Sequence, residues 1–133
     1  MCMYKVLIIE DEVWISALIR SILEEGVPSV QVVGEASNGR QALDMITRLQ
    51  PDIVLTDINL PLLSGLEVIE QSKAAGFAGR FVVISGYNDF SYVQQALRFG
   101  VEDYLLKPID DTELCALITQ LTNTLDMAAK AKT

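Results

Sequence analysis

The chain has 133 residues, enough for one domain with a real hydrophobic core and little left over. Half of the residues are hydrophobic and 21% are charged, which excludes a disordered chain and a disulfide scaffold. The balance of 10 basic against 18 acidic residues, net -8, has the wrong sign for gripping a phosphate backbone or anionic lipid over a broad surface.

With no histidine, the commonest general base, the Ser-His and Cys-His nucleophile pairs and the commonest zinc ligand are missing, so any chemistry rests on carboxylates, hydroxyls and lysine. Cys2 and Cys115 lie too far apart to suggest a metal motif or a disulfide framework. The longest apolar runs, Val6 to Ile9 and Phe81 to Ile84, are strand-sized, far short of a membrane span, and the start lacks the features of a secretory signal. The chain is expected to be cytoplasmic, with neither membrane nor nucleic acid as its own partner.

Short β-branched runs alternate with stretches whose apolar residues recur every three or four positions. Tyr4 to Ile9 is predicted as a first strand. A helix follows with Trp14, Leu18, Ile22 and Ile15, Ile19, Leu23 as its stripe, ending near Gly26 and Pro28. Val30 to Gly34 is a second strand. Ser37 or Asn38 caps a helix carrying Ala42, Leu43, Ile46 and Leu49, which Pro51 stops before a third strand at Ile53, Val54 and Leu55. Helix three spans Gly65 to Ala75, and strand four spans Phe81 to Ile84. Asn88 or Asp89 opens helix four, with Phe90, Val93 and Leu97 on one face and Gly100 closing it. Tyr104 to Leu106 is strand five, and Asp110 or Asp111 caps a last helix with Leu114, Leu117, Ile118, Leu121 and Leu125 as its stripe. Residues 127–133 read as a fraying tail or the start of a linker, leaving residues 1–126 as the domain.

Five consecutive strand-helix units with near-continuous apolar strands predict an α/β, doubly wound, five-stranded parallel sheet of the flavodoxin-like (βα)5 kind. In such sheets a ligand sits outside the carboxyl ends of the strands, where the winding reverses. Glu10 and Asp11 follow strand one, Asp57 strand three, Ser85 strand four, and Lys107 with Pro108 strand five. Singly, each is an ordinary cap, turn or surface residue. Together they put three carboxylates at one edge, where like charges raise one another's pKa unless a cation sits among them, and oxygen donors of this kind suit a hard cation such as Mg2+.

The set Glu10-Asp11, Asp57 within Leu55-Thr56-Asp57-Ile58-Asn59-Leu60-Pro61, Ser85-Gly86 and Lys107-Pro108 resembles the receiver domain of two-component response regulators over residues 4–125. The stretches Ile84 to Phe90 and Asp103 to Asp110 are similar in particular to receivers joined to AraC-type DNA-binding domains. Glu10 departs from the second Asp that many receivers carry, and the longer side chain should alter metal placement while keeping the charge.

The resemblance implies that Asp57 accepts a phosphoryl group from a phosphohistidine on a sensor histidine kinase. Mg2+, for which Mn2+ can substitute, would be held by Asp11, Asp57 and the Asn59 backbone carbonyl, with Glu10 reaching it through a water. Lys107 and Ser85 would contact phosphoryl oxygens, and Tyr104 would turn inward when the Ser85 loop moves. The chain would be a phosphoacceptor, not a turnover enzyme. DNA would be contacted through an output domain outside it, and phosphorylation would favour a homodimer through helix four, strand five and helix five. Tyr92 and Phe99 are expected as aromatics off the core stripe of helix four.

Two other readings fit the fold class less well. A flavodoxin-type FMN site needs a hydroxyl- and glycine-rich loop after strand one, where Glu10, Asp11 and Glu12 stand. A haloacid-dehalogenase-type phosphatase wants a second Asp two residues after its nucleophile, where position 59 is Asn.

Overall fold

A computed structural model describes residues 3–86 and 90–131, with the Phe90 side chain outside the description. The order is β1 (Tyr4–Ile9), α1 (Val13–Gly26), β2 (Val30–Ala36), α2 (Gly39–Leu49), β3 (Ile53–Asp57), α3 (Gly65–Ala74), β4 (Arg80–Ser85), α4 (Phe90–Arg98), β5 (Asp103–Leu106) and α5 (Asp111–Ala131). All pairings are parallel, in the order β2-β1-β3-β4-β5. The chain leaves β1 toward β2 on one side and then crosses to β3 on the other. The winding therefore reverses between β1 and β3, whose carboxyl ends carry Glu10 and Asp57.

Because successive strand residues face opposite sides, each apolar run feeds two cores. Val6, Ile8, Ile53, Leu55, Val82, Ile84 and Leu105 meet α1 and α5, whereas Leu7, Ile9, Val54, Phe81 and Val83 meet α2, α3 and α4. Fully burying one such side chain stabilises the fold by about 1.5–3 kcal/mol, so the sheet interior dominates stability. Among the described residues, no helix is long and apolar enough to cross a membrane.

The helix faces depart from the predicted stripes. In α1, Ile15, Ile19 and Leu23 are buried, but Trp14 is 67% and Leu18 39% exposed. The apolar stripe is wider than the surface the sheet can cover, and the buried position beside Ile15 goes to Ser16. In α4, the buried residues are Val93 and Ala96, Phe99 packs half-buried against the core, and Leu97 is 46% exposed. The i, i+3, i+6 row leans away from Leu97, so Leu97 leaves the core stripe and Phe99 joins it, while Tyr92 is exposed as expected. The predicted caps Asn88 and Asp89, and the placement of Phe90 on the core face, lie outside the described residues.

Two boundaries also move. β2 continues past Gly34, because Glu35 and Ala36 pair with Ile8 and Ile9 after an irregularity in register at Val6/Leu7. Helix α5 runs through Met127 to Ala131, so this part of the segment read as a tail is helical, in keeping with its Ala and Lys content, and residues 132–133 lie outside the described residues. Asn38 is the residue that caps α2, accepting from the Gln41 amide at 2.8 Å.

Gly65 opens α3 in close contact with the end of β3: a Cβ there would lie 2.1 Å from the Asp57 carbonyl oxygen and 2.9 Å from Ile58 Cα. Gly65→Ala should therefore lower stability by about 1–3 kcal/mol in urea unfolding, since backbone must shift to admit the methyl group.

Candidate phosphoacceptor site

The strand ends deliver the predicted groups to one edge. Glu10 and Asp57 are buried at 2% and 4% exposure, whereas Asp11 is exposed. One carboxylate oxygen from each of Glu10, Asp11 and Asp57 lies within 4.8 Å of the others. Lys107 Nζ donates to Asp57 Oδ2 at 2.7 Å and sits 3.0 Å from Glu10 Oε1. Its ammonium is thus the counter-charge shared by the two buried carboxylates.

The loops after the strands hold these groups in place. The Asn59 amide donates to Asp57 Oδ1 at 3.2 Å, and the Glu12 amide to Glu10 Oε2 at 3.1 Å. The Lys107 amide donates to the Ser85 carbonyl at 2.9 Å, which keeps the ends of β4 and β5 flush, and the Lys107–Pro108 peptide is cis. Ser85 is fully buried and its Oγ has no hydrogen-bond partner among the described residues. An unmet buried hydroxyl costs roughly 1–3 kcal/mol, so a ligand oxygen arriving at this edge would gain a waiting donor. Tyr104 is 41% exposed.

Charge and burial act together on the titrations. Burial raises the Glu10 carboxyl to about 7; the Glu12 amide opposes this, the Asp57 charge adds to it, and Lys107 lowers it. For Lys107, burial disfavours the charge, but the bonds to Asp57 and Glu10 outweigh it and raise the ammonium above its ordinary range. Three carboxylate oxygen donors gathered from the ends of two strands, β1 and β3, fit a hard divalent cation.

Two supporting features escaped the sequence reading. Thr56, fully buried, donates its hydroxyl to the Asp57 carbonyl at 3.0 Å; a hydroxyl within the apolar run of β3 was its only signal. Ser16 and Arg20 of α1 both bond Glu35 of β2, a contact between remote residues that no local pattern announces.

The family model of the response regulator receiver domain matches residues 6–119. The chain belongs to the response regulator receiver domain family. It is 34% identical over 119 residues to the uncharacterized transcriptional regulatory protein YesN of Bacillus subtilis (strain 168), covering 90% of this chain and 32% of that protein. It is 34% identical over 115 residues to the nitrate/nitrite response regulator protein NarL of Escherichia coli (strain K12), covering 86% and 53%. The chain thus spans between about a third and a half of these curated relatives. Among solved structures, the REC domain of AraT, a response regulator from Geobacillus stearothermophilus, superposes with a TM-score of 0.88 at 33% identity, covering 95% of this chain and 98% of that one. A response regulator receiver domain protein from Clostridium thermocellum gives 0.85 at 26%, covering 95% and 99%.

The raised Glu10 carboxyl sets a pH dependence. A carboxyl held above its unfolded value favours the folded state while protonated and loses that contribution as pH rises from about 4.5 through about 7. The thermal midpoint of the metal-free protein should fall across that window relative to Glu10→Gln, measured by circular dichroism in parallel buffers. A divalent cation held at this edge would bind the ionised form, so added Mg2+ should then restore stability at the alkaline side.

Proposed function

We propose that this receiver accepts a phosphoryl group on Asp57 from the phosphohistidine of a sensor histidine kinase, in a Mg2+-dependent step, and thereby switches a transcriptional output. The observation that carries the reading is the pairing of Lys107 with Asp57 Oδ2 beside a buried Ser85 hydroxyl that lacks a partner. An Asp57 oxygen forms the new P–O bond as the P–N bond to the kinase imidazole breaks, and the imidazole nitrogen keeps the electron pair. The absence of histidine among these residues fits a phosphohistidine donor that lies outside them.

Asp11, Asp57 and the Asn59 backbone carbonyl, supported by Glu10, would hold Mg2+; when bound, the ion neutralises charge on the transferring group. Lys107 stays charged beside one phosphoryl oxygen, and Ser85 donates its unused hydroxyl to another. Drawing Ser85 toward that oxygen moves the segment that follows β4 and makes room for Tyr104 to turn inward. The domain acts as a cytoplasmic phosphoacceptor and not as a turnover enzyme. Its output is a DNA-binding domain outside these residues, of AraC type by the likeness of Ile84 to Phe90 and Asp103 to Asp110. Phosphorylation strengthens self-association through α4, β5 and α5, where Tyr92, Leu97, Tyr104 and Leu106 are exposed.

Acetyl phosphate with Mg2+ should raise the intact mass by one phosphoryl group, and Asp57→Asn should abolish the gain; equal labelling of that variant would sink the assignment. Sedimentation across a concentration series with beryllofluoride and Mg2+ should show the dimer constant rising roughly 5- to 150-fold. An unchanged constant removes dimerisation of this chain while leaving phosphoacceptance intact.

A further inference from the structure

Helix α1 starts directly after the acidic segment, yet its N-cap residue Glu12 makes no side-chain capping bond and its first turn carries no acidic residue. The first turn is held from the side instead. Ser16, buried at 4% exposure, donates its hydroxyl to Glu35 Oε1 at 2.6 Å. Arg20, one turn further on, donates to Glu35 Oε2 at 2.6 Å. Each oxygen of this single carboxylate thus has its own donor on α1, and both bonds are short and charge-assisted.

The position of Glu35 gives the clamp its meaning. It lies opposite Ile8 of β1, and the next residue, Ala36, lies opposite Ile9 and accepts the Glu10 amide at 2.9 Å. Adjacent residues of β2 therefore fix both ends of the segment from Glu10 to Ser16, one through its backbone and the other through its side chain. Between those anchors the Glu12 amide donates to Glu10 Oε2, and the Ile15 and Ser16 amides both reach the Glu12 carbonyl at 3.1 Å. Asp11 sits inside this doubly anchored span.

We propose that Glu35 is a positioning residue for the metal-binding segment: by clamping Ser16 and Arg20 it sets where Glu10 and Asp11 stand relative to Asp57, and so sets the affinity for Mg2+. The proposal rests on the reading of Glu10, Asp11 and Asp57 as a Mg2+ site. Stability alone is a poor reason for the arrangement. The Arg20–Glu35 pair is solvent-accessible, with side chains 41% and 32% exposed, and pairs of this kind contribute little. A hydroxyl at a buried helix position is likewise a weaker packer than an aliphatic group, and it gains its use from direction. The hydrogen bond from Ser16, joined by Arg20, holds the Glu35 carboxyl below the usual range against the effect of burial, keeping it ionised as an acceptor for both donors. Groups bonded directly to a metal ligand commonly change affinity about 10- to 100-fold when removed, and Glu35, which acts one step further out through Ser16 and the start of α1, is expected at the lower end of that range.

The test is a Mg2+ titration by calorimetry at neutral pH on the intact chain, paired with amide hydrogen exchange of the metal-free protein. Glu35→Ala should raise the Mg2+ dissociation constant up to about tenfold. Ser16→Ala should raise it less, and Ser16→Thr, which keeps the hydroxyl, should stay near the parent value. Exchange at the Glu12, Ile15 and Ser16 amides should quicken in Glu35→Ala, while the Leu23 amide toward the C-terminal end of α1 stays protected. Should Glu35→Ala fail to fold, Glu35→Gln keeps an acceptor for Ser16, loses the Arg20 pair and should fall between the two. A dissociation constant within twofold of the parent, with only the melting temperature lowered, would reduce Glu35 to a structural ion pair and overturn the proposal, as would unchanged exchange at the three amides. Failure of the parent chain itself to bind Mg2+ would instead overturn the metal-site reading, and the exchange comparison would still decide whether the clamp holds the segment.

Discussion

Lys107 reaches two buried carboxylates at once, and the acidic edge depends on that reach. Asp57 ends β3, two strands away from β5, and Glu10 follows β1, one strand further. Neighbouring strands lie about 4.8 Å apart, so a single side chain can span this only where the strand ends are flush and parallel. The bond from the Lys107 amide to the Ser85 carbonyl and the regular register of β3, β4 and β5 meet that requirement. Withdrawing the ammonium would leave two like charges buried without compensation, a destabilisation of several kcal/mol.

The same geometry explains why the edge is receptive. One cation among three carboxylates leaves an excess of negative charge, which a divalent ion can relieve, and burial together with the Asp57 charge already keeps Glu10 near the point where proton and metal compete. Below the edge, the sheet interior is entirely apolar side chains apart from Thr56, whose hydroxyl is satisfied by the Asp57 carbonyl. Within the sheet, the buried polar groups are thus gathered at the strand ends, and the close-packed hydrophobic layers beneath serve as a rigid base for their placement.

Strands and strand ends were legible in the sequence because a parallel strand buried on both faces leaves a continuous apolar run, and whatever polar residue follows it must emerge at the carboxyl edge. Tyr4 to Ile9 has the predicted bounds, and Glu10, Asp11, Asp57 and Lys107 converge as expected. Helix faces were less legible. Hydrophobicity says that Trp14, Leu18 and Leu97 could be buried, but the area of sheet available to each helix decides which are, and that area is a property of the assembled layers. The end of β2 was missed at Glu35 because a charge interrupts the apolar run, although the backbone keeps pairing with β1. The bonds of Ser16 and Arg20 to Glu35 join residues 19 and 15 positions apart, a separation at which no periodic signal exists.

The bond from the Lys107 amide to the Ser85 carbonyl has a mechanical corollary. It splices the tips of β4 and β5 into one lever, with the unused Ser85 hydroxyl on one arm and the ammonium that neutralises Asp57 on the other. A backbone displacement at either residue is passed to the other through this bond. The effects of substitutions at the two positions are then expected to couple and not simply add.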